Sequence, residues 1–323
     1  MTEIKFKLKL KEKVTVFVLE MGGCSLLFST GVKMIAVDCN LLINISGIVN
    51  NKQHNDKKEN TWWFEFLNSP NFYLNPILSA LEGSNQEIPT YDHFCNEFNK
   101  GRQILQEFFP KANVIRYSDI HYQAGYELIK EAKIDYESDL KFLLTAVPLV
   151  VIRNSAIKLQ EIESDIFQIA KDNGLIRPTF ALLACLSCLY ENNKNPSIGR
   201  KVLKPKLRYS RSLAHNALMD LYSLNLLIQS NMQLGNVGFC TSDKGLLRFW
   251  CALKVKTSCK STPTELNVPI ELTSEMFEKL NKHELRALKR RIEAFSIEGS
   301  REAFSSFLTS SRERNVKKLS FTS

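Results

Sequence analysis

Apolar and polar residues alternate at the start of the chain. Ile4, Phe6, Leu8 and Leu10 are separated by Lys5, Lys7 and Lys9, the period of a strand with one wet face. Val14 to Leu19 and Cys24 to Phe28 continue in strand-like fashion, with Gly22-Gly23 as the turn between them. Residues 1–31 therefore predict a small β appendage. Met34-Ile35-Ala36-Val37 is different: the run is wholly apolar and ends in Asp38. Continuous apolar character without alternation suits a central parallel strand covered on both faces. Residues 50–60 are polar and predict an exposed loop, and Trp62 to Leu67 is aromatic and amphipathic, a candidate for the core.

Asn75 to Gly83 reads as a short helix with legible ends. Asn75 is the expected N-cap, Pro76 occupies the first turn, and Gly83 can take the left-handed position that stops the helix. Tyr91 to Phe109 has helical periodicity, and Asn113 to Tyr117 predicts a second strand. From about residue 120 to 200 the pattern is helical, over Tyr122–Ala132, Ser138–Val151, Leu159–Asn173 and Thr179–Glu191. Pro148 is expected to kink or end the second of these. A further helix spans about Leu213 to Met232, followed by a strand Val237 to Thr241, a helical turn to Trp250 and a strand from Leu253 to Ser258. The predicted organisation is a β appendage (1–31), an α/β core in two pieces (32–118 and 205–260), a helical insertion (119–204) and a basic helical tail (261–323).

Composition adds little to that picture. The chain has 323 residues, of which 44% are hydrophobic and 24% charged, so disorder on a whole-chain scale is not expected. Charge adds more. A net charge of +9 favours polyanionic partners such as nucleic acid or an anionic membrane, with a solvated Lys-rich surface as the plain alternative, and concentrates in Lys201 to Arg211 and from Arg286 onward. The eight cysteines have no framework spacing. Cys185 and Cys188 form a CxxC inside a helix-like run, where packing suits them better than zinc. Reduced thiols, no secretory leader and no apolar run of about eighteen residues predict a cytoplasmic chain with no membrane partner.

The chemistry lies in the acids at strand ends. Asp38 stands one residue past one apolar strand and Asp243 two residues past another. An open doubly wound sheet binds ligands at the carboxyl ends of its strands, where strand order reverses. If these two strands are neighbours, both carboxylates meet in one crevice, where they repel unless a cation lies between them. Asp220 shares a helix face with Ala217, Leu224 and Leu227, with Asn216 one turn earlier. Glu82, at the end of its predicted short helix, is a candidate fourth acid.

The segments Ile-Ala-Val-Asp38-Cys-Asn40, Pro76-Ile-Leu-Ser-Ala-Leu-Glu82, Asn216-Ala-Leu-Met-Asp220 and Cys-Thr241-Ser242-Asp243 resemble the four acidic motifs of PIN-domain nucleases, in family order. The resemblance covers residues 32–118 and 205–260. It departs from compact members in the long interval between Glu82 and Asp220, and Glu87 competes with Glu82 for the second position. It implies a PIN-like (Rossmann-like) three-layer α/β/α fold with a central parallel sheet and hydrolysis of phosphodiester bonds, usually in RNA, with Mg²⁺ or Mn²⁺. Asp38 and Asp243 would be direct ligands, with Asp220 and Glu82 binding directly or through water. Asn40, Asn216, Thr241 and Ser242 would orient ligands or phosphate. Lys204, Lys206, Arg208 and Arg211 would grip the nucleic-acid backbone, a salt-sensitive and sequence-blind contribution. The sequence leaves room for a homodimer or a protein regulator.

Two other functions compete. A haloacid-dehalogenase type phosphatase also begins with Asp after a strand, but needs a carboxylate two residues on, where Asn40 stands. A catalytically inactive PIN-like module binding nucleic acid or protein is the second. Each acid taken alone also has a plain alternative, the N-cap of a helix.

Overall fold

A computed structural model describes residues 16–26, 30–43, 65–81, 89–151, 156–192, 197–255 and 270–297. The chain divides into two compact units. The first comprises Met1–Ala132, Ser223–Cys251 and Val255–Val268; the second comprises Lys133–Tyr222, Ala252–Lys254 and Pro269–Ser323.

The first unit is α/β and is built on a mixed six-stranded sheet. Its strands are β1 (Phe17–Glu20), β2 (Gly23–Ser25), β3 (Met34–Val37), β4 (Tyr73–Asn75), β5 (Asn113–Val114) and β6 (Val237–Thr241). Their order is β2-β1-β6-β3-β4-β5. Strands β6, β3, β4 and β5 run parallel, whereas β1 is antiparallel to β6 and to β2. The sheet is therefore mixed: parallel at its centre, with β1 and β2, from the segment expected as a β appendage, paired onto its β6 side. The β1-β2 hairpin covers the flank of β6, whose N–H and C=O groups would otherwise lack a ladder partner, and Val18 and Leu19 are fully buried there. Its turn needs Gly22, at φ +91°, a conformation L side chains rarely adopt.

Periodicity locates the central strands well. Strand β3 is buried along Ile35, Ala36 and Val37, and every residue of β6 is buried. Four consecutive parallel pairs join them, from Met34 with Val237 to Val37 with Cys240. From β3 the chain steps outward to β4 and β5, and later returns as β6 on the opposite side of β3. The direction of strand order therefore reverses between β3 and β6. Helix α1 (Tyr91–Phe108) is capped by Thr90, whose hydroxyl accepts from the His93 amide, and buries Phe94, Phe98 and Leu105. Helix α2 (Asp119–Ala132) follows β5.

The helix expected from Asn75 to Gly83 is one turn of 3₁₀ helix, Ile77–Ala80, within the described residues. Asn75 closes β4 instead, although its Oδ1 accepts from the Ile77 amide at 3.0 Å, the bond a cap would make. Residues 50–60, Trp62, Trp63, Glu82, Gly83, Glu87 and the tail beyond residue 297 lie outside the described residues. So do the predicted strand at residues 4–10 and the second half of the one at 253–258.

The second unit is helical among its described residues: α3 (Tyr136–Val151), α4 (Ala156–Asp172), α5 (Phe180–Leu189), α6 (Ile198–Leu203), the first half of α7 (Arg211–Leu234) and α9 (residues 282–297). The remainder of α7 belongs to the first unit, as does most of α8 (Lys244–Leu253). Helix α3 runs through Pro148 for one more residue triplet rather than ending there. Every residue of α5 is buried, including both thiols of the CxxC, so packing is their role. Gly199 makes that packing close: a Cβ there would lie 2.1 Å from the Ala184 carbonyl oxygen. The Gly199 amide instead donates to Ser187 Oγ at 3.1 Å, while that hydroxyl donates to the Met276 carbonyl at 2.8 Å.

Candidate functional site

Strand ends and helix starts place the two outer aspartates. The Asp38 amide donates to the Cys240 carbonyl at 3.0 Å, extending the β3-β6 ladder by one residue. Chain direction then changes, and Asp38 caps the helical turn that follows. Its Oδ1 accepts from the Asn40 amide at 3.3 Å and its carbonyl accepts from the Leu42 amide at 3.0 Å. Asp243 performs the same task for α8. Its Oδ1 accepts from the amides of Gly245 and Leu246 at 2.6 and 2.9 Å. Each acid is thus a helix N-cap, and the plain reading of each taken singly is correct.

The pair is joined by Thr241, which is wholly buried. Its hydroxyl donates to Asp38 Oδ2 at 2.6 Å and accepts the Asp243 amide at 3.0 Å. One hydroxyl therefore sets the position of the Asp38 carboxylate and of the Asp243 backbone together. Asp38 is 9% exposed. Burial, and to a lesser degree the charge of Asp243, push its carboxyl above the usual carboxylate range, against hydrogen bonds from Thr241, Asn40 and Cys39. Asp243 is half-buried, Ser242 half-buried and Asn40 exposed at the rim. Replacing Thr241 by valine removes a donor and an acceptor from a dry position while keeping the volume. Chemical denaturation should register a loss of about 1–3 kcal/mol, and an unchanged midpoint would show that the hydroxyl organises nothing.

Comparison with family models, with curated proteins and with solved structures finds no match. What the site can do rests on its own chemistry.

The remaining predicted residues divide between the units. Glu82 lies outside the described residues. Asp220 belongs to the second unit, half-buried on α7, with Asn216 exposed one turn before it. Lys204, Lys206, Arg208 and Arg211 also belong to the second unit and are exposed. Lys204 ends α6 in the left-handed conformation, at φ 49°. Among the described residues no group of three or more His, Cys, Asp or Glu side chains is arranged to hold a metal, and no helix is long and apolar enough to cross a membrane. Arg291, within the basic run expected to meet phosphate, is turned to the buried Glu163, which also accepts from the Tyr190 hydroxyl.

Sequence reasoning missed one polar centre in the second unit. Asp139 is 2% exposed. It accepts from Thr179 Oγ1 at 2.6 Å and from the Tyr222 hydroxyl at 2.7 Å. Nearby, His215 is buried with Nδ1 2.7 Å from the Tyr136 hydroxyl, and Lys133 Nζ lies 5.1 Å from the centre of the Tyr136 ring. A signal for Asp139 was present, because Tyr136, Asp139, Leu140 and Leu143 follow the spacing of one helix face.

Proposed function

We propose that this chain is a divalent-metal-dependent nuclease of the PIN type that hydrolyses phosphodiester bonds, in RNA rather than DNA. One observation carries the reading: Asp38 and Asp243 sit at the carboxyl ends of adjacent parallel strands, at the point where strand order reverses. That is where open α/β sheets take ligands. The donor set suits a hard cation. Both groups are carboxylates, and Asp38 is held toward its neutral form by burial and by the neighbouring acid, a penalty that a shared Mg²⁺ or Mn²⁺ would relieve. Such an ion supplies a water of lowered pKa and charge for the departing oxygen.

The chain's own groups do the positioning. Thr241 turns Asp38 by donating to Oδ2, which leaves the lone pairs of that oxygen not engaged by the hydroxyl for a cation. The cap bonds to Asp243 Oδ1 fix its carboxylate plane. Asn40 and Ser242 stand at the rim, suited to donate to phosphate oxygens. The reading assigns Glu82 and Asp220 as further acids, Asn216 as a ligand-orienting amide, and Lys204, Lys206, Arg208 and Arg211 as backbone contacts. The three-layer α/β/α arrangement and a cytoplasmic setting belong to the same proposal, and a homodimer or a protein regulator is compatible with it. Purified protein incubated with end-labelled RNA and single-stranded DNA should cleave RNA with Mn²⁺ and neither polymer with chelator. Intact RNA after incubation with Mn²⁺ would overturn the nuclease reading.

A further inference from the structure

Helix α8 ends against the β1-β2 hairpin. Trp250, 1% exposed, donates its indole N–H to the carbonyls of Glu20 and Gly23, at 2.9 and 2.8 Å. A Cβ on Gly22 would lie 3.8 Å from the Val255 carbonyl oxygen, so the chain just beyond Trp250 runs over the hairpin turn. The residues following these anchors are Cys24, after Gly23, and Cys251, after Trp250. Their side chains are in hydrogen-bond contact, with Cys24 exposed and Cys251 half-buried.

Among the other described cysteines, Cys39 and Cys95 are half-buried and three lie in the core. Cys185, Cys188 and Cys240 are wholly buried, and burial raises the thiols of Cys185 and Cys240. Cys24 moves the opposite way, to about 7, chiefly because Cys251 hydrogen-bonds to it, and against burial and the charge of Glu20. A thiol that ionises near neutral pH and meets solvent is the reactive kind. A second thiol in contact makes it a two-electron site.

We propose that Cys24 and Cys251 form a reversible disulfide, with a peroxide as oxidant and a small dithiol or glutathione-class thiol as reductant. The Cys24 thiolate attacks one peroxide oxygen. An S–O bond forms, the O–O bond breaks, and the hydroxide released takes a proton to become water. The Cys251 sulfur then attacks the sulfur of the Cys24 sulfenic acid. The S–S bond forms as the S–O bond breaks, and the departing hydroxide takes the Cys251 proton as a second water. Two thiols lose two electrons and two protons, and hydrogen peroxide becomes two waters. Two thiol equivalents reverse the step by exchange.

The bond would staple β2 to α8, the helix that Asp243 caps. This chemistry is independent of what Asp38 and Asp243 bind. The test is to treat the full chain with stoichiometric hydrogen peroxide, quench, digest without reductant and map the peptides by mass. The expected product joins the Cys24 and Cys251 peptides within one chain, is lost on dithiothreitol, and raises the thermal midpoint by about 5–10 °C. In Cys251→Ser, peroxide should instead leave a Cys24 sulfenic acid that dimedone traps. Oxidation first at Cys39 or Cys95, cross-links only between chains, or a Cys24 that resists peroxide in both proteins would each overturn the proposal.

Discussion

Asp38→Asn is expected to abolish Mn²⁺-dependent RNA cleavage while leaving the chelated protein as stable as the parent or more so. Asparagine keeps the volume; its Oδ1 still accepts from the Asn40 amide, and its Nδ2, standing where Oδ2 was, donates to the Thr241 hydroxyl oxygen. It removes a charge that burial and Asp243 already disfavour. Stability therefore has no reason to fall. Activity should drop by about a hundredfold or more, the loss associated with removing one preorganised electrostatic group. The two readouts separate catalysis from folding. Mn²⁺ should also raise the melting temperature of the parent and leave that of the variant unmoved. A variant that cleaves RNA at the parental rate would remove Asp38 from the chemistry; one that binds RNA normally but never cleaved it, even as parent, would favour a binding module.

The second large effect concerns pH. Burial pushes the Asp139 carboxyl up to about 7, with Asp135 adding to it, and with Thr179, Tyr222 and Arg177 opposing. The folded state thus holds this proton more tightly than the unfolded chain, so the stability it contributes is full at acid pH and is lost as pH rises from about 4 to 7. His215 runs the other way. Burial, then the charges of Lys133 and Arg211, lower its pKa to about 4, so stability is lost as pH falls from 6.5 to 4. Over that shared window the two slopes oppose each other. Asp139→Asn should uncover the His215 slope, giving stability that rises with pH relative to the parent. His215→Gln should uncover the Asp139 slope, giving stability that falls. Each pH unit separating folded from unfolded titration is worth on the order of 1.4 kcal/mol, so urea midpoints at four or five pH values resolve both. Parallel profiles for all three proteins would mean that neither group titrates as its surroundings require.

The sequence disclosed the central features for a simple reason. Ile35 to Val37 and Val237 to Thr241 are buried, so apolar character alone marks them, and the aspartates stand where the apolar runs stop. Helix starts were equally legible at Thr179, whose hydroxyl accepts from the Leu182 amide. Pairing between distant segments was not. Periodicity near Phe17 shows a strand, but nothing local says that it lies beside Thr241. The same holds for Thr241 and Asp38, which meet across 203 positions. Asn75 misled because a cap-like amide bond is made equally well at the end of a strand. Asp139 was hidden by its type, since an acid in the first turn of a helix is ordinarily solvated and favourable there.

Strand β6 lies between β1 and β3, yet some two hundred residues separate its synthesis from theirs. A ribosome adding about 5–20 residues per second leaves the nascent chain for roughly ten to forty seconds with two sheet margins that have no strand to share. Such margins are templates for pairing with other polypeptides. Closure of the sheet also demands contacts of high sequence separation, which slows the search once β6 emerges. The interval during which those margins stay open is therefore set by how long the residues between β3 and β6 take to be translated.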